Sequence, residues 1–135
     1  MANVFTKIIR GEIPSVTLFQ DELCTVILDI APVNKGHMLV ISNEVYPTLE
    51  TCPLSTLSHM MSVVQACDTK LRETLKADAV NIVINDGPAA GQEIPHLHIH
   101  VIPRYDDDEK RLSFPKESYK EGEIQQYGEK LSITL

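Results

Sequence analysis

Positive charge is in short supply in this sequence. Twelve Lys and Arg residues stand against 19 Asp and Glu, for a formal net charge of -7. That balance argues against a general nucleic-acid binder or an anionic-membrane binder. It leaves room for a small phosphate ligand, because a site can be locally electropositive in an acidic protein. Cysteine is scarce as well. Cys24, Cys52 and Cys67 are widely spaced and form no C-x-x-C, so neither a zinc knuckle nor a redox dithiol is indicated, and reduced, mostly buried thiols are expected. No apolar run approaches the length of a membrane span, and no basic segment leads into an apolar one at the start, so a cytoplasmic protein is expected. Internal repeats and long linkers are also missing. The expectation is one domain over residues 1–135, with a core at about 4–104 and a charged C-terminal extension at 105–135. What remains is ordinary globular material, 43% hydrophobic and 23% charged.

The pattern along the chain alternates in period. Residues 5–10 read as a short amphipathic helix ended by Gly11. Val16–Gln20 and Leu23–Asp29 read as a hairpin turning at Asp21-Glu22, and His37–Ser42 as a third strand. Leu54, Leu57, Met61, Val64, Leu71 and Leu75 then recur at steps of three and four, which predicts a long helix opened by Pro53. Ala79–Asn85 and Pro95–Pro103 alternate as strands, and Glu117–Leu131 reads as a terminal helix weakened by Gly122 and Gly128. The fold class predicted is α+β, with a mostly antiparallel five-stranded sheet, one long helix and a short N-terminal helix.

Residues 96–102 read His-Leu-His-Ile-His-Val-Ile. On a strand, His96, His98 and His100 project to one face, while Leu97, Ile99 and Val101 anchor the other. Four readings follow: a structural cluster, a metal site completed by Glu93 or His37, general acid–base chemistry, and nucleophilic attack by an imidazole on an electrophile such as phosphorus. The preceding loop, Asn85-Asp86-Gly87 through Gly91-Gln92-Glu93, carries glycines that let backbone N–H groups approach an anion, and this favours phosphate chemistry over metal binding.

Asn85-Asp86-Gly87-Pro88-Ala89-Ala90-Gly91-Gln92 followed by His96-Leu97-His98-Ile99-His100-Val101-Ile102 resembles the signature of the histidine triad (HIT) family of nucleotide hydrolases and transferases. Phe5–Pro14, Leu28–Pro32 and Gly36–Ile41 resemble other segments of that family, in order. The resemblance implies a homodimer that binds purine nucleotides and cleaves a nucleoside 5′-phosphate derivative at the α-phosphorus, with no cofactor. It implies His98 as nucleophile, His96, His100 and His37 around it, and Asn85 on the phosphate or leaving-group side. Asp29 would hold the ribose, while Phe5, Ile8, Phe19, Ile27 and Ile30 would line the base pocket. Backbone N–H groups around Gly91, Gln92 and Glu93 would meet the developing charge.

Two departures from the family pattern stand out. Many relatives carry an N-terminal C-x-x-C that binds a structural zinc with further histidines, whereas Asn3, Thr6 and Val45-Tyr46 occupy those positions, so no metal is expected. Glu93 stands where relatives often have Ser or Thr. The resemblance implies a nucleoside phosphoramidase. The alternatives are a dinucleoside polyphosphate hydrolase and a largely non-catalytic nucleotide-binding module.

Overall fold

A computed structural model describes residues 2–135. The first helix, α1 (Val4–Ile9), starts at Asn3, whose Oδ1 accepts the Thr6 N–H at 3.0 Å and so satisfies one of the free donors of the first turn. The strands β1 (Thr17–Gln20) and β2 (Cys24–Leu28) form the expected hairpin, and β3 (Met38–Ser42) pairs with β2. The long helix α2 (Leu54–Thr74) follows, then β4 (Ala79–Val83) and β5 (His98–Arg104), and α3 (Glu123–Leu131) lies near the C-terminus. The five strands form a single antiparallel sheet in the order β1-β2-β3-β5-β4. A five-stranded antiparallel α+β architecture with a short first helix and one long helix is therefore what the chain adopts. No helix among the described residues is long and apolar enough to cross a membrane.

Strand alternation divides the core in two. On one face Cys24, Val26, Met38, Val40, Ile99 and Val101 pack against Met60, Val64, Cys67 and Leu71 of α2. On the other face Ile27, Leu39 and Ile41 pack against Phe5, with Ile8, Ile9 and Ile94 around them. The three cysteines are free thiols within the first of these clusters. Burial pushes the Cys24 thiol up to about 12, with Asp21 adding to the shift, and pushes Cys67 up to about 11.

Several expectations from the sequence are corrected here. The stripe assigned to α2 is displaced: Leu54, Met61 and Leu75 are exposed, and the buried row is Thr56, Met60, Val64, Cys67 and Leu71. Apolar residues on more than one side of α2 make its periodicity ambiguous, and only packing on the sheet selects the buried row. The last strand starts at His98 rather than at Pro95, because residues 94–96 form a bend. The terminal helix is also shorter than expected, starting at Glu123 after Gly122.

The charged stretch after Arg104 is not simply solvated. Asp108 receives a two-pronged contact from Arg104, at 2.8 and 3.0 Å, and a further hydrogen bond from Asn34 Nδ2 at 2.9 Å. The Arg104 guanidinium beside it holds the Asp108 carboxyl far below the usual carboxylate range. The same Asn34 amide donates to the Pro103 carbonyl at 2.9 Å, which ties the β2–β3 connection to the end of β5.

Candidate active site

Two of the three histidines stand on β5, with His98 opposite Ile41 and His100 opposite Leu39 on β3. Their rings therefore share the α1 face of the sheet. Phe5 meets the His98 ring edge-on, with centroids 4.8 Å apart, and meets His96 at 5.7 Å. His98 and His100 are half-buried, whereas His96 and His37 are buried. His37 enters this face just ahead of β3. It follows Gly36, whose φ of +99° suits a residue without a side chain and where a Cβ would sit 2.5 Å from the Leu75 side chain.

The hydrogen bonds assign a proton to each ring, because a backbone carbonyl can only accept and a backbone N–H can only donate. Val33 N–H donates to His37 Nδ1 at 3.1 Å, so the neutral His37 ring carries its proton on Nε2. That N–H donates to His100 Nδ1 at 2.9 Å, which leaves the His100 proton on Nε2. His98 Nδ1 lies 2.7 Å from the His96 carbonyl and must donate to it, so His98 Nε2 bears a lone pair. His96 Nε2 donates to the Ser42 carbonyl at 2.6 Å, and its Nδ1 accepts from Asn3 Nδ2 at 3.2 Å.

Among the described residues no buried side-chain polar atom lacks a partner, and neither His98 Nε2 nor His100 Nε2 has a partner among them. Both atoms therefore reach the surface. They present a lone pair beside an N–H donor, on rings whose centroids are 5.1 Å apart.

Burial favours the neutral imidazole at His37, His96 and His100. It lowers the pKa values of His37 and His96, and lowers His100 to about 4 with help from the neighbouring rings of His98 and His37. Asp29 opposes the shift at His37, with its Oδ2 3.7 Å from His37 Nε2. Asp29 Oδ1 accepts the Ala31 N–H at 2.9 Å, so one carboxylate oxygen is committed to the turn and the other faces the histidines.

The remaining residues implied by the resemblance divide into three groups. Phe5, Ile8 and Ile27 belong to the apolar cluster beneath the histidines, with Ile27 buried inside it and Ile8 at its edge. Ile30 projects outward, 97% exposed. Phe19 is not brought to this face. A register shift between Thr17 and Phe19 pairs Phe19 with Val26, and it lines a cleft on the α2 side instead. A bulge reverses the facing of every later residue on a strand, and nothing in the local pattern announces it.

The loop before β5 is braced from within. Gln92 Oε1 accepts the Gly87 N–H at 2.8 Å, and Gln92 Nε2 donates to the Pro47 carbonyl at 2.7 Å. The amides of Gly91 and Gln92 donate to the carbonyls of Pro88 and Gly87, at 2.9 and 3.2 Å, so they are committed inside the loop. The Glu93 amide has no protein acceptor among the described residues. Asn85 is half-buried against the loop: a Cβ on Gly91 would lie 4.0 Å from its Cγ.

Asn3, Val33, Leu39, Ile41 and Ser42 also shape the site, although the motif does not name them. Leu39 and Ile41 could be found by alternation from His37 once β3 is paired with β5. Asn3 carries a helix-start signal, and its bond to a ring 93 residues away comes only from the fold. Asn3 and Thr6 are bonded to each other, and Asn3 is bonded to His96. Two groups among the described residues bring metal-binding atoms together, Asp29 with His37 and His100, and Asp21 with Cys24 and His59. In the second group His59 bonds Asp21 at 2.5 Å.

Residues 10–107 match the model of the HIT domain. The chain belongs to the histidine triad family. An adenylylsulfatase of Arabidopsis thaliana is 45% identical over 105 residues, covering 78% of this chain and 53% of the relative, so the chain spans about half of that protein. An adenosine 5′-monophosphoramidase of Schizosaccharomyces pombe is 30% identical over 100% of this chain and 99% of its own length. Among solved structures, a HIT family protein from Bacillus anthracis superposes with a TM-score of 0.85 at 30% identity, covering 95% of this chain and 93% of that one.

Proposed function

We propose that this HIT protein hydrolyses purine nucleoside 5′-phosphoramidates, or closely related nucleotide esters and anhydrides, at the α-phosphorus. The observation that carries the reading is the pair of accessible Nε2 atoms with opposite roles, a lone pair on His98 and an N–H on His100. Neutral imidazole is a competent nucleophile near pH 7. His98 Nε2 attacks phosphorus, the P–N bond to the leaving amine breaks, and the nucleotide is held on His98 as a phosphoramidate. Water then attacks phosphorus, the bond to His98 breaks, and the ring regains its lone pair. In net terms one water is consumed, with its hydroxyl on phosphorus and its proton on the amine.

The surrounding groups support each part of this scheme. The His96 carbonyl, bonded to His98 Nδ1–H, steadies the positive charge that develops on the ring as it attacks. His100 Nε2–H, held outward by the bond from His37, donates to a phosphate oxygen. The free oxygen of Asp29 accepts from ribose hydroxyls, and the Phe5 and Ile8 cluster takes the base. Glu93 N–H is the backbone donor left for the phosphate, rather than those of Gly91 and Gln92. The named activities of the plant and yeast relatives, an adenylylsulfatase and an adenosine 5′-monophosphoramidase, both act on adenylyl compounds and agree with this reading.

The test is acid-quenched mass spectrometry during turnover of an adenosine 5′-phosphoramidate. One added adenylyl group is expected on the peptide carrying His98, together with a fall in turnover of about 10³-fold or more in His98→Ala. Equal turnover by wild type and His98→Ala would end the proposal.

A further inference from the structure

The connection between β2 and β3 reaches the histidines through one backbone amide. Val33 N–H is the donor that leaves the His37 proton on Nε2 and, through the next bond, the His100 proton on Nε2 as well. A His37 proton on Nδ1 would face the Val33 N–H, donor against donor. His37 Nε2 would then accept from His100 Nδ1–H, and the outward nitrogen of His100 would hold a lone pair in place of a proton. A hydrogen bond of 3.1 Å weakens steeply with misalignment, so the choice between these states depends on where Val33 is kept.

Val33 is kept in place from outside the site. It is 41% exposed, and Ala31 and Pro32 before it are exposed as well, so packing does little to hold it. Its carbonyl accepts from Lys110 Nζ, and the same ammonium donates to Asn34 Oδ1 at 2.7 Å. The two hydrogens of Asn34 Nδ2 go to the Pro103 carbonyl and to Asp108 Oδ2, each at 2.9 Å, so every polar atom of that side chain is engaged. The Asn34 carbonyl accepts the His37 N–H at 3.1 Å, which closes the turn onto the residue whose ring it sets. Asp108 is locked by Arg104 and also takes the amides of Tyr105 and Lys110, at 3.1 and 3.0 Å. Its side chain is 9% exposed and that of Arg104 16%, so this pair is a largely desolvated anchor rather than a loose surface contact. Asp108 and Lys110 both stand beyond residues 10–107, the stretch that matches the HIT domain.

We propose that Asn34, Asp108 and Lys110 are positioning residues for His100: by fixing Val33 they decide that the outward nitrogen of His100 offers a proton to the substrate. None of the three is bonded to a histidine ring, and each acts through the loop. The proposal rests on the nucleotide chemistry above for what the proton does, and on hydrogen bonding alone for where the proton sits.

The experiment reads ring tautomers in the full chain by long-range ¹H–¹⁵N correlation with ¹⁵N-histidine, at mildly alkaline pH and without substrate. In the wild type, His37 and His100 are expected to carry their protons on Nε2. Lys110→Met removes the donor to Val33 and keeps most of the side chain, and a second population with both protons on Nδ1 is expected to appear. With an adenosine 5′-phosphoramidate, kcat should fall by about 3- to 10-fold, in step with the lost fraction, and KM should change little. Lys110→Arg, which retains a donor, should restore both readings. A purely structural role would lower the melting temperature and leave both rings as they are in the wild type. Unchanged tautomers in Lys110→Met and in Asn34→Ala would overturn the proposal. So would altered tautomers with kcat intact while His98→Ala still abolishes turnover. Failure of the nucleotide reading shows separately, as turnover that His98→Ala does not diminish, and it leaves the tautomer measurement standing.

Discussion

The two faces of the sheet are built from the same strands and do opposite things. On the α2 face, alternate residues of β2, β3 and β5 are Val26, Val40, Ile99 and Val101, buried hydrocarbon whose contribution is packing. On the α1 face, the residues between them include His98 and His100, whose nitrogens are fixed by carbonyls, an amide and another ring. A single step along a strand separates a side chain that contributes stability from one to which the proposed function assigns chemistry. The expensive part of such a site, holding imidazoles neutral and oriented, rests on the inert face, which fixes the strands themselves.

The largest way to sharpen the contrast is to cut into the inert face. Leu71→Ala, at a side chain 1% exposed beneath the sheet, is expected to lower stability by about 2–5 kcal/mol in denaturant titrations. Turnover per folded molecule should hold, because no group on the histidine face touches Leu71. A matching collapse of the rate constant in the folded fraction would break the division of labour.

Acid should act on the other face. Burial holds His100 to about 4 in the folded chain against an ordinary 6.5, so the unfolded ring takes up its proton first. This stability is whole above about pH 6.5 and drains away as the pH falls, until the folded ring protonates in turn near pH 4. Melting temperature measured across that window should fall with acid in the wild type, and the slope should flatten in His100→Gln. The depressed values at His37 and His96 act in the same direction.

The smallest effect is expected where the histidine face is tied to α1. Asn3→Ala removes the acceptor at the start of the helix and the donor to His96 together, and a loss of about 1 kcal/mol is expected in thermal unfolding. A neutral result would mean that the His96 ring is held by Ser42 alone.

How far the sequence foretells this arrangement depends on the range of the interaction. The hairpin, the long helix and the histidine strand announce themselves through local period and turn chemistry, and the motif brings in His37, Asn85 and Asp29. Facing fails wherever a partner decides it. Phe19 is turned to the far side by a bulge, and the buried row on α2 is selected by a sheet that the helix must meet. His96 was expected on the strand and lies in a bend before it, yet it remains in the cluster through its bonds to Ser42 and Asn3. Asp108 reads as one acid in a charged run, and only the return of β5 beside Asn34 gives it Arg104 and an amide to hold.

The carboxamide of Gln92, with its oxygen on one residue and its nitrogen on another, has a consequence for binding. Together with Asp86, which accepts the Leu49 N–H at 2.8 Å, it fastens the glycine-bearing loop to the connection between β3 and α2. Under the proposed function an arriving nucleotide would meet a contour that is already set, so capture would lose little to ordering the chain.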